Sequence, residues 1–312
     1  DRAYSPIDLE SVLRHELVHR LDPEIGCQDA PALFREGLAV YLAGGHYRRE
    51  PVIRKAATAL SNGYSIPFKP LITDFYGQQH EIGYLQAAAF MAFINAEFGW
   101  EGIEALCQSS SEYQGTDQEK LDSAAQFIVK EDFTGLVDQF RTWLHEQPLL
   151  PEDSGLFEYE LRLMELMRLY QRQYDPAAHF LEGVLFNPKD GEQRDIVADF
   201  IRRPRTDHAI AIELILTAGQ QALIRRDLPF LKTIIQLLEV VLVEGNLQLR
   251  EFVEIVDLVQ YIKKIGYEPY NLVIRGNGTY EVAIVHLVRW PETNTIRLAK
   301  LGNRWIVTGS NR

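Results

Sequence analysis

Two histidines four residues apart, with a glutamate directly after the first, constrain this chain more than any other feature: His15-Glu16-Leu17-Val18-His19. On an α-helix residues i and i+4 share a face, so both imidazoles can offer a nitrogen to one ion only if this stretch is helical. Glu16 then stands about 100° around the helix, where it faces a water on the metal. A catalytic zinc site needs three protein ligands and one open position. Glu36, inside Phe34-Arg35-Glu36-Gly37-Leu38-Ala39-Val40-Tyr41, is the expected third ligand. Together these residues describe a zinc hydrolase.

The flanking sequence supports a helix around the motif. Ser5 reads as the N-cap, Pro6 as the first helical residue and Asp8 as the acid three residues after the cap, with Pro23 as the stop. Leu9, Val12, Leu13, Leu17, Val18 and Leu21 lie around most of the circumference, which predicts a buried helix. Two histidines and a glutamate in such a helix are costly unless partnered or bound to metal. A second helix is expected from Pro31 to Gly44-Gly45, with Leu33, Phe34, Leu38, Tyr41 and Leu42 as its apolar face. Gly37 in its interior costs about 1 kcal/mol relative to alanine and marks a close approach between helices. Glu36 beside it is thereby brought within reach of a metal held on the first helix.

His15-Glu16-x-x-His19, sixteen intervening residues, and then Glu36-Gly37-Leu38-Ala39-x-Tyr41 resemble the gluzincin metallopeptidases, the thermolysin-like clan in which two histidines and a glutamate hold zinc. The Glu-Gly-Leu-Ala stretch is similar to the aminopeptidase branch and to bacterial peptidase MA-like domains. Gly83-Tyr84-Leu85-Gln86-Ala87-Ala88-Ala89-Phe90, running on to Phe98-Gly99, is similar to the helix that follows the zinc site in that branch. The resemblance implies that His15, His19 and Glu36 are the metal ligands, Glu16 the general base and Tyr84 the hydrogen-bond donor to the oxyanion. His80 is a second candidate donor, Glu81 a candidate for the same cleft, and His46 a weaker one. Three departures stand out. The connection from His19 to Glu36 is slightly short. Val40 replaces the aspartate that orients a ligand histidine in thermolysin-like enzymes, so the outer partner of the histidines is unassigned. Only fourteen residues precede His15, where the family builds an edge strand, so a mature product or an excised portion is expected.

The expected architecture is mainly α with a small C-terminal antiparallel β region. Residues 1–148 read as a helical gluzincin-like lobe lacking its upstream sheet, 149–265 as a helical module and 266–312 as a four-stranded tail. Helices are expected over Leu161–Tyr170, Ile210–Leu223, Leu231–Val243 and Leu247–Ile265, punctuated by Asn187-Pro188 and Arg203-Pro204. Gly276-Asn277-Gly278 and Gly302-Asn303 mark two hairpins. The tail is similar to the closing half of nuclear-transport-factor-2-like cone domains, which implies a binding or assembly module.

Composition narrows the partners. The net charge of −12 disfavours nucleic acid, and no run approaches the eighteen or so apolar residues of a membrane span. Cys27 and Cys107 permit one disulfide without requiring it, and Cys27 belongs to the loop between the ligands rather than to the metal set. An extracytoplasmic or cell-surface location is favoured. The expected function is a zinc-dependent peptidase acting on a peptide or protein through a water that zinc and Glu16 activate. An inactive scaffold or binding protein of the same fold is the alternative.

Overall fold

The first described helix carries the metal motif. The computed structural model describes residues 9–46, 48–112, 115–174, 206–275, 279–286, 293–302 and 304–311. Ser5, Pro6 and Asp8 lie outside these residues, as do the Asn187-Pro188, Arg203-Pro204 and Gly276-Asn277-Gly278 turns. The architecture is mainly α with a four-stranded antiparallel sheet at the C-terminus, as the sequence predicts. Among the described residues no strand precedes Tyr267. Two compact units divide the chain between Phe157 and Glu158.

In the first unit, helix α1 (Leu9–His19) carries the paired histidines and α2 (Ala32–Ala43) carries Glu36. Pro31 caps α2 at its start, and Gly44 ends it in the left-handed conformation (φ 77°), its N–H donating to the carbonyls of Val40 and Tyr41. Proline, with its fixed φ and no N–H to satisfy, suits the start, and glycine, free to take positive φ, suits the end. Helices α3 (Val52–Ser61) and α4 (Phe68–Thr73) and a 3₁₀ turn (Phe75–Gly77) lead into the long α5 (His80–Glu112). Gly99, at φ 67°, kinks α5. Ala87, Ala88, Ala89, Phe90, Met91, Phe93 and Ile94 make the first half of α5 the buried axis of the unit.

Gly37 makes a close approach, but to α5. A Cβ there would lie 2.6 Å from the Ala87 carbonyl oxygen and 3.0 Å from Met91 Cγ. Helix α2 is thus held at α5 backbone distance, and Glu36 takes its position from that contact. Helices α6 (Asp117–Val129) and α7 (Phe133–His145) complete the unit. Phe68, Phe90 and Phe140 meet edge to face beneath it, with centroids 5.0–5.8 Å apart. Such geometry adds roughly 0.5–1.5 kcal/mol per pair beyond area burial.

The expectation of a buried first helix is corrected. Leu13, Leu17 and Leu21 are 53%, 62% and 49% exposed, while Ser11, His15 and Val18 face inward. Helix α1 packs against α2, so one face is covered and the leucine stripe is not. Cys27 and Cys107 form a disulfide, both fully buried, that ties the α1–α2 connection to the second half of α5.

Helix α8 (Asp153–Gln173) runs across the division into the second unit. There α9 (Asp207–Ile224), α10 (Leu228–Leu238), a π-helical turn (Glu239–Val243) and α11 (Arg250–Lys264) precede the strands. Strands β1 (Tyr267–Arg275), β2 (Thr279–His286), β3 (Thr293–Leu301) and β4 (Arg304–Asn311) pair in sequence order. Leu272 pairs with Val282, Val282 with Ile296, and Tyr280 with Leu298, all buried on one face, and β1 packs against α9 and α11. No helix among the described residues is long and apolar enough to cross a membrane.

Candidate metal centre

The i, i+4 spacing on α1 turns both imidazoles toward α2, and the Gly37 contact fixes Glu36 opposite them. His15 Nε2 lies 3.2 Å from His19 Nε2 and 3.3 Å from Glu36 Oε2, and His19 Nε2 lies 3.6 Å from the same oxygen. Two nitrogens and one carboxylate oxygen therefore converge on one point. Three ligands of a tetrahedral zinc, at about 2.0–2.1 Å from the ion, stand about 3.3 Å from one another. The observed triangle has those dimensions. His15 is 6% and Glu36 9% exposed, so these two are largely withdrawn from water, while the His19 side chain is 24% exposed. Three lone pairs aimed at one buried point are satisfied together by a cation and only in part by a shared proton. The donor set fits zinc, with His15, His19 and Glu36 as the residues that would hold it.

Asp22 supplies what Val40 does not. Its Oδ2 lies 3.2 Å from His19 Nδ1, and it is 4% exposed in the turn that follows α1. A proton on Nδ1 donated to Asp22 leaves the Nε2 lone pair for the metal, the arrangement that orients ligand histidines elsewhere. The signal in the sequence was His19-x-x-Asp22, one turn beyond the motif. For His15 the corresponding atom, Nδ1, is buried without a hydrogen-bond partner among the described residues, as is Asp22 Oδ1.

Tyr76 is the second residue that sequence reasoning missed. Its hydroxyl donates to Glu36 Oε1 at 2.6 Å, from a position forty residues away in the chain. Burial pushes the Glu36 carboxyl upward, but hydrogen bonds from His15, His19 and Tyr76 outweigh it and hold it well below the usual carboxylate range. Burial and the Glu36 carboxylate push the Tyr76 phenol up to about 12. The hydrogen bond to Glu36 raises His19 despite burial, with Asp22 adding to it. Burial raises Asp22, with His19 opposing.

A row of rings extends from the metal point. The His46 ring lies 5.1 Å from that of His15 and stacks on Tyr84 at 4.0 Å, and His80 lies 5.0 Å from His46 and 4.4 Å from Tyr84. Tyr84 is thus two ring contacts from His15, and His46, the weaker candidate from sequence, stands between them. Burial, with His80 and His15 nearby, lowers His46 to about 2 and keeps it neutral. Glu16 is exposed on α1 beside His15, and Glu81 accepts from the Gln79 side chain at 2.6 Å. Cys27 is excluded from the ligand set by its disulfide. Comparison with known families, with curated proteins and with solved structures finds no match to this chain.

Proposed function

We propose that the first unit is a zinc-dependent peptidase. The observation that carries this reading is the triangle of His15 Nε2, His19 Nε2 and Glu36 Oε2, with edges of 3.2, 3.3 and 3.6 Å. Zinc, when bound, supplies Lewis acidity and brings a water's pKa toward about 7. The rest falls to the chain's own residues. Glu16, exposed next to His15, takes the proton from the attacking water and passes it to the leaving amine. Tyr84, with His80 and His46 packed around it, offers its hydroxyl to the carbonyl oxygen as charge develops there. Asp22 holds His19 in the tautomer that leaves Nε2 unprotonated.

The buried Cys27–Cys107 disulfide supports an extracytoplasmic or cell-surface location, since such bonds persist in oxidising surroundings. The second unit, with Leu301, Ile306 and Val307 40–71% exposed along its last hairpin, is assigned to binding or assembly.

Two variants at neighbouring positions test the proposal. Glu16→Gln preserves zinc content while hydrolysis of a broad peptide library falls by about 10²–10⁴-fold. His19→Ala loses zinc and hydrolysis together. A wild-type chain that holds one zinc and cleaves no peptide in the library leaves a metal-bearing scaffold. Equal hydrolysis by wild type and Glu16→Gln removes Glu16 from the chemistry.

A further inference from the structure

A glutamate can meet a metal through one oxygen or two, and the choice decides how many positions remain for water and substrate. The two oxygens of Glu36 have different surroundings. Oε2 faces His15 Nε2 at 3.3 Å and His19 Nε2 at 3.6 Å, while Oε1 accepts the Tyr76 hydroxyl at 2.6 Å. An O–H donor on a carboxylate at that distance makes a charge-assisted bond, roughly twice as strong as a neutral one. It draws Oε1 toward the phenol and weakens it as a metal donor.

Tyr76 comes from a segment built to deliver it. In the 3₁₀ turn Phe75–Gly77 the Gly77 N–H donates to the Asp74 carbonyl at 3.3 Å. Phe75 is 5% exposed and packs edge-on against Tyr84 at 4.9 Å, anchoring the turn. The neighbouring Tyr76 ring is 66% exposed. It meets Phe75 edge to face at 5.5 Å on one side, and its hydroxyl is directed by the bond to Glu36.

We infer that Tyr76 is a positioning residue whose hydroxyl holds Glu36 to one-oxygen ligation through Oε2, keeping the remaining metal positions open. This inference rests on the zinc reading above and adds to it a residue outside the ligand set. The test uses the full chain and its Tyr76→Phe variant, loaded with zinc or with cobalt(II). Because the ring is exposed, the metal-free variant keeps the wild-type far-ultraviolet dichroism. Zinc affinity, read by competition with a chromophoric chelator, falls about 10- to 100-fold. The visible cobalt spectrum of wild type has the intense bands of four-coordination, and in Tyr76→Phe these weaken toward five-coordination as Oε1 joins the metal. If wild type binds one metal and Tyr76→Phe has an unchanged cobalt spectrum, whatever its affinity, the inference is overturned and the metal site stands. If wild type takes up neither metal, the site and the inference fall together.

Discussion

Without metal, His19 holds its proton more tightly than an ordinary histidine because Glu36, against the cost of burial, and Asp22 accept from it. Its folded pKa lies above the ordinary 6.5, so its contribution to stability is complete below that value and lost as pH rises through the folded one. Glu36 has the opposite sign: its folded value lies below the ordinary 4.5, and its contribution is present above 4.5 and lost as pH falls through the folded value. The melting temperature of the metal-free chain, relative to His19→Gln, is therefore highest below about pH 6.5 and declines toward alkaline pH. A difference that grows with pH contradicts the assignment. Asp22→Ala, read by zinc competition, weakens affinity about 10- to 100-fold. Wild-type affinity in that variant removes Asp22 as the partner of His19. The ligands were legible because HExxH spacing and a helical Glu-Gly pair carry their geometry locally. Asp22 was legible in principle, one turn on from His19. Tyr76 was not, since an exposed tyrosine forty residues from its partner leaves no periodic trace.

Helix α2 was readable from end to end because Pro31 and Gly44 punctuate it and Gly37 interrupts an otherwise good helix former. The neighbour that requires Gly37 is α5, where Ala87 presents its carbonyl oxygen. In Gly37→Ala the added Cβ gains about 1 kcal/mol of helix propensity. It also meets backbone at 2.6 Å, and overpacking of that kind costs typically 1–3 kcal/mol. The expected result is a net loss of stability in denaturant titration, with weaker zinc binding as Glu36 shifts. A more stable Gly37→Ala chain would show that the α2–α5 contact is looser than described. Helix α1 was misread because apolar periodicity tells which faces can be buried, not whether a neighbour covers them. Leu13, Leu17 and Leu21 have the right residues for a core and, among the described residues, no core around them.

Between the units the sequence was unevenly informative. The four strands and the two hairpins followed from alternation and from glycine-asparagine turns, whereas the β2–β3 pairing and the bond between Cys27 and Cys107 across 80 residues did not. Two cysteines permit a bond, and only the fold brings them together. A closed loop of this length restricts the unfolded chain by an amount worth roughly 4–5 kcal/mol on the chain-entropy account. Reduction is accordingly expected to lower the denaturant midpoint of the unit ending at Phe157, while Cys27→Ser/Cys107→Ser shows no further change on adding reductant. All three ligands lie in that unit, so zinc should slow amide exchange around His15–Glu36 and leave β1–β4 unaffected. Protection confined to the strands would place the metal elsewhere. X-ray absorption at the zinc edge on the purified chain, with zinc content per chain, tests the central claim most directly. The account predicts one zinc, with two imidazole nitrogens and a carboxylate oxygen among four light-atom neighbours at about 2.0–2.2 Å, and its loss in His19→Ala. A metal-free wild type under zinc excess, or full zinc retention in His19→Ala, would contradict it.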